Sequence, residues 1–212
     1  MTEAEWVSCT DPQPMLEHLR DRAGVRKFRL FALGCARRAG KAGRRPARHV
    51  LWVAERFADG LTRGPEREEA ARWARRARDP VCNVALFALL RRPQDAVRAA
   101  LLAVAANRGD DQAERAARCR LIRCVFGNPF RPPPALAPEV LAWDGGAVVN
   151  LARQAYEERQ LPSGELDPVR LAVLADALEE AGCADDTILG HLRGPGPHAR
   201  GCWVLDRLLG KD

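Results

Sequence analysis

Apolar residues recur along most of this chain at spacings of three and four, the periodicity of helices that bury one face. After Asp11-Pro12, an N-cap followed by a first-turn proline, Met15, Leu16 and Leu19 share a stripe that stops at Gly24. From Val25 to Ala39 the residues Phe28, Phe31, Ala32, Cys35 and Ala39 line one side while Leu30 and Leu33 lie opposite, which predicts a central helix apolar on both sides. The segment 40–46 reads as a linker, and a helix resumes from His49 to Ala58. Pro65 to Arg78 begins with glutamates and ends with arginines, as a solvated surface helix should. Pro80 to Arg91 and Pro93 to Asn107 read as a buried antiparallel pair, and Asp111 to Phe126 as an amphipathic helix stopped by Gly127-Asn128-Pro129.

The pattern then changes. Residues 127–146 hold five prolines and two large aromatic anchors, Phe130 and Trp143, which predicts a non-helical connection pinned across a core groove. Four further helices are expected at Ala147–Gln160, Asp167–Gly182, Asp185–Arg193 and Gly201–Leu209. No segment alternates with the period of two that a sheet needs. The expected fold is all-α, a helical bundle or short α-solenoid of about eight to ten helices. Its expected organisation is a basic N-terminal helical region over 1–126, the proline-rich connection over 127–146, and a C-terminal helical subdomain over 147–212 packed on the first.

Composition narrows the class without naming an activity. With 47% hydrophobic and 29% charged residues the chain has enough apolar surface to fold. No apolar run approaches the roughly 18 residues of a membrane span, and the first residues lack a basic and then apolar leader, so a cytoplasmic location with no membrane partner is the expectation. Seven cysteines, an odd number scattered through helical patterns, read as small buried hydrophobes rather than a disulfide framework.

The formal net charge of +6 is concentrated in the N-terminal half, where residues 20–48 carry eleven basic residues and one acid, Asp21. Arg26, Lys27, Arg29, Arg37, Arg38, Lys41, Arg44, Arg45 and Arg48 therefore form a candidate surface for nucleic-acid phosphates or for an acidic protein partner. Arginine is in large excess over lysine in an Ala-, Gly- and Pro-rich chain, a bias that GC-rich coding imposes regardless of function and that weakens the nucleic-acid inference.

Cys183, His191, His198 and Cys202 supply four zinc-type ligands within twenty residues at the spacing C-x7-H-x6-H-x3-C. The spacing lacks a C-x2-C or H-x3-H signature, and the competing reading makes the cysteines buried thiols and the histidines hydrogen-bonding groups. Zinc is the one cofactor with a candidate ligand set, and no cofactor at all is the competing expectation. Cys202 beside His198 is also the minimal pair for a nucleophilic thiolate, but Pro197 and Gly201 make the turn between them irregular. No serine-nucleophile elbow, phosphate-binding loop, HExxH or dinucleotide fingerprint occurs. Asp176, Glu179 and Glu180 read as a solvated helix face, since adjacent helical residues diverge by about 100°.

The opening Thr2-Glu3-Ala4-Glu5-Trp6 with Cys9-Thr10-Asp11-Pro12-Gln13-Pro14-Met15-Leu16, the central Phe126-Gly127-Asn128-Pro129-Phe130-Arg131-Pro132, and the closing Arg193-Gly194-Pro195-Gly196-Pro197-His198-Ala199-Arg200-Gly201-Cys202-Trp203-Val204 resemble an uncharacterised bacterial family that occurs as many copies within a genome. The resemblance implies no activity. Residues 171–182 are also similar to a short helical repeat-companion domain, with Ala177 where that domain has tryptophan. The leading expectation is a non-catalytic protein-interaction or scaffold module. The alternatives are a nucleic-acid-binding protein using residues 20–48, and a small zinc-stabilised protein or Cys/His enzyme.

Overall fold

The computed structural model describes residues 1–39, 45–105 and 112–211, with the side chains at 45 and 46 outside the description. Among these residues there are twelve helices and no strand. They are α1 (Glu3–Ser8), α2 (Pro12–Leu19), α3 (Val25–Arg38), α4 (Arg45–Ala58), α5 (Gly64–Ala77), α6 (Pro80–Leu89), α7 (Pro93–Ala105), α8 (Gln112–Phe126), α9 (Pro138–Glu157), α10 (Pro168–Glu180), α11 (Asp186–Leu192) and α12 (Trp203–Leu209). The all-α expectation holds, with a helix count slightly above the range read from the pattern.

Local chemistry explains where many helices begin. Thr2 and Glu5 form a reciprocal capping box on α1. Asp11, Asp79 and Asp167 each accept a backbone N–H at the start of a helix whose first residue is proline. α4 starts at Arg45, so the expected linker ends earlier than its 40–46 reading, and what remains of it lies outside the described residues.

α1 to α8 enclose one core, with α3 at its centre against α4, α6, α7 and α8. Phe28, Leu30, Phe31, Ala32 and Leu33 are all buried, as a helix apolar on both sides requires. α9 to α12 enclose a second core, joined from the N-terminal half by Cys124 of α8.

The connection over 127–146 departs from its non-helical reading. Pro138 opens a helical turn, and the break falls at Trp143 to Gly146, where Asp144, Gly145 and Gly146 all have positive φ. Phe130 stacks on His18 at 4.9 Å, and Trp143 packs against the second core. Both rings are half-buried, less covered than a full pin across a groove would make them.

Two buried carboxylates hold the halves together. Asp59, just after α4, and Asp206, on α12, have no exposed side-chain surface. Arg26 at the start of α3 donates from Nε to Asp59 at 2.9 Å and from both terminal nitrogens to Asp206 at 2.6 and 2.8 Å. Lys27 also reaches Asp206, at 2.5 Å, and Arg200 reaches Asp59 at 2.8 Å. The Tyr156 hydroxyl lies 3.1 Å from both Asp59 oxygens and accepts from Arg26 at 2.8 Å. A second buried set, Arg37 and Arg159 on Glu55, joins α3, α4 and the segment just after α9.

Asp206→Asn preserves side-chain volume but leaves Arg26 and Lys27 without their shared carboxylate. Urea denaturation should show a loss of about 3 kcal/mol or more, against roughly 0.5 kcal/mol for Arg170→Gln, whose pairing with Glu158 is exposed. Equal stability of Asp206→Asn and the parent would contradict this role. Burial alone would raise both the Glu55 and Asp59 carboxyls. Arg159 and Arg37 outweigh it at Glu55, and Arg200, Arg26 and Lys211 outweigh it at Asp59, so both are held below their ordinary values. A depressed carboxyl stabilises the fold above its unfolded pKa, and that stabilisation disappears as pH falls through the folded value. The contribution of these groups should be complete above about pH 5 and decline steadily below about pH 4 in acid titration followed by circular dichroism.

Candidate metal centre

The C-terminal segment folds back on α8 through a short series of backbone constraints. Asp185 caps α11 by accepting from the N–H groups of Thr187 and Ile188 at 2.9 and 3.0 Å, which fixes the helix that carries His191 in its last turn. The chain then reverses, and the His198 carbonyl accepts the Leu166 N–H at 2.9 Å. Arg120 on α8 donates to the Gly196 carbonyl at 2.9 Å, tying this turn to the N-terminal half. Gly201 has φ near +89°, and a Cβ there would come within 2.8 Å of the Leu30 side chain. Only glycine permits that approach, and the next residue, Cys202, is the N-cap of α12.

This path places Cys124, His191, His198 and Cys202 around one point, with their four ligand atoms all within 4.8 Å of one another. His191 Nε2 is 3.2 Å from Cys202 Sγ, and His198 Nδ1 is 3.6 Å from Cys124 Sγ. Tetrahedral zinc, with bonds of about 2.0–2.1 Å to nitrogen and 2.3 Å to sulfur, separates its ligand atoms by roughly 3.3–3.8 Å. The two measured pairs already stand close to that range. His198 Nε2 lies 3.3 Å from the Gly194 carbonyl, so a proton held there leaves the Nδ1 lone pair facing the cysteines.

The electrostatics favour one thiolate. Burial opposes ionisation of Cys202, but a hydrogen bond from Cys124 and the nearby His191 overcome it and draw its pKa well down. Burial and the same hydrogen bond push the Cys124 thiol up. Burial works against a charged His198, yet hydrogen bonding to Cys202 raises its pKa. Elsewhere, burial pushes Cys35 and Cys119 up to about 12 and Cys82 up to about 11, as expected of inert interior thiols.

Three of the four candidate ligands from the sequence converge here, and the fourth place is taken by Cys124 instead of Cys183. Cys183 follows α10, where its N–H donates to the Leu178 carbonyl and its side chain is half-buried at the margin of the second core. Cys124 sits more than sixty residues before His191, beyond the reach of any local ligand spacing.

The basic segment is largely turned to internal use. Arg26, Lys27 and Arg37 hold the buried carboxylates, while Arg38 pairs with Glu114 at 3.1 Å and with Glu165. Arg29 donates to the Leu90 carbonyl and lies over the Phe57 ring. Arg48 is exposed, and Lys41, Arg44 and the Arg45 side chain lie outside the described residues. Asp176 and Glu179 are exposed partners of Arg193, as a solvated face implies. No helix among the described residues is long and apolar enough to cross a membrane.

Comparisons with protein-family models, with curated proteins and with solved structures give no match for this chain.

Gly201→Ala should lower stability by about 2 kcal/mol, combining a left-handed backbone with overpacking against Leu30. Gly190→Ala is the control, because it lies within α11 with open space around it and helix propensity favours the change by up to about 1 kcal/mol. Thermal unfolding of the two variants checks the contrast, and equal effects would refute the close-approach argument.

Proposed function

We propose that this chain is a zinc-stabilised, non-catalytic module in which Cys124, His191, His198 and Cys202 fasten the C-terminal helices to the N-terminal bundle. The observation that carries the reading is the convergence of two sulfur and two nitrogen ligand atoms within 4.8 Å. A closed set of four protein ligands leaves no position for substrate, which is the pattern of structural rather than catalytic zinc. The ligands come from α8, α11, the following turn and the cap of α12, so one ion would cross-link segments on both sides of the junction. Metal binding to a site that exists only in the folded chain adds directly to folding free energy.

The interaction part of the reading rests on a different face. Trp52 on α4 and Trp73 on α5 are exposed, and Trp52 carries His49 stacked at 6.0 Å and the Arg56 guanidinium at 4.8 Å. Exposed tryptophan beside arginine is the composition enriched at protein–protein contacts. Nucleic-acid binding through residues 20–48 has weaker support, because five of the candidate cations are engaged within the chain.

Metal analysis of protein purified without chelators should find about one zinc per chain. Cys124→Ser should abolish it, whereas Cys183→Ser should retain it. Absence of zinc after reconstitution, or loss of zinc in Cys183→Ser with retention in Cys124→Ser, would overturn the reading.

A further inference from the structure

A cleft of about 560 Å³ lies between the turn joining α2 to α3, the proline-rich stretch after α8, and α12. Its size falls within the roughly 300–1,000 Å³ of small-molecule sites. Among the described residues Arg22, Lys27, Arg131 and Arg207 line it, no carboxylate does, and Phe126 and Trp203 give it apolar ring surface. We propose that this cleft binds a small planar anion, a carboxylate or phosphate carried on an aromatic or similarly flat apolar ring.

Positive charge gathers beneath the cleft. Four cations, Arg26, Lys27, Arg200 and Lys211, converge on the two buried carboxylates Asp59 and Asp206. Glu157, half-exposed, offsets part of the excess at Arg200. Lys27 is the member that reaches the cleft. It shares Asp206 with Arg26, and its other bond goes to the Gly201 carbonyl at 3.1 Å, leaving a third N–H. Arg22 at the rim hydrogen-bonds to the His18 ring rather than to a carboxylate. Arg131 is matched by Glu3, and Arg207 has a contact of its own. An anion between Arg22 and Lys27 would meet positive charge that the described residues leave incompletely balanced.

The ring preference comes from Trp203. A Cβ at Gly127, whose φ is +69°, would lie 3.4 Å from the indole, and His191 approaches the same ring at 5.4 Å. These contacts fix the position of the indole, and the part of it that lines the cleft offers a preorganised apolar ring surface to a flat ligand. Thr187 on the cleft wall adds a hydroxyl for a ligand's polar edge, while the Asn128 amide beside it is already engaged by Glu3 and the Phe130 N–H. The proposal does not depend on metal occupancy, although Trp203 directly follows the ligand Cys202.

The test uses the full chain, labelled with nitrogen-15, and follows the Trp203 indole resonance, assigned with Trp203→Phe. Benzoate and phenyl phosphate are the anionic probes, benzamide is the neutral analogue of the first, and inorganic phosphate lacks the ring. Saturable shifts are expected with one or both ring-bearing anions, their order identifying carboxylate or phosphate as the preferred group. Benzamide and inorganic phosphate should each bind at least about tenfold more weakly than the better anion, and Arg22→Gln should weaken that anion by about fivefold or more. Arg22 is exposed, so this variant should keep its fold. No saturable shift at about 10 mM of either anion, equal binding of benzamide, or unchanged affinity in Arg22→Gln would each overturn the proposal.

Discussion

Removing a carboxylate from water is costly unless its charge is answered inside the protein, and the side chains of Asp59 and Asp206 have no exposed surface. Arg26 answers both, with donors to each. Because Asp59 follows α4 and Asp206 belongs to α12, this one guanidinium obliges the C-terminal helix to sit against the start of α3. Lys27 reinforces the same placement by holding both Asp206 and the Gly201 carbonyl. The relative position of the two cores is therefore set by directional, charge-assisted bonds at their junction, where nonpolar burial alone would leave sliding freedom.

The cysteine and histidine cluster inherits its geometry from that junction. Asp206 donates its N–H to the Cys202 carbonyl at 2.9 Å, so fixing Asp206 fixes the first turn of α12 and the cap that bears the ligand sulfur. Gly201 admits the chain against Leu30 just before that cap, and Arg120 draws the 194–201 turn towards α8 and Cys124. Moving α12 by one helical turn, about 5 Å, would displace Cys202 by more than the separation between neighbouring ligand atoms. The ion-pair junction and the proposed metal site meet at α12, the first tying it to the start of α3 and the second to α8 and α11, so each supports the other's geometry.

Much of the fold was legible because helix periodicity and caps are local. Asp11, Asp79, Asp167 and Asp185 cap helices at the boundaries their sequence contexts suggest, and Phe28 to Leu33 mark the central helix directly. His191, His198 and Cys202 were legible as a group for the same reason, lying within twelve residues. Cys124 was not, since its place depends on how α8 docks against a segment far along the chain. Arg26, Lys27 and Arg37 look like surface cations until Asp59, Asp206 and Glu55 are brought beside them by the fold. The turn at Pro138 was also hidden, because five prolines suggest a continuous non-helical run while proline at the first helical position favours initiation.

In the proposed site α8 and the C-terminal segment share one metal ion through two sulfurs and two imidazole nitrogens. X-ray absorption at the zinc edge of the purified protein measures that shell directly. The expected spectrum shows two sulfur neighbours at about 2.3 Å and two nitrogen neighbours at about 2.0 Å, with multiple-scattering features of imidazole. A shell made only of oxygen and nitrogen, or one with a single sulfur, would contradict it.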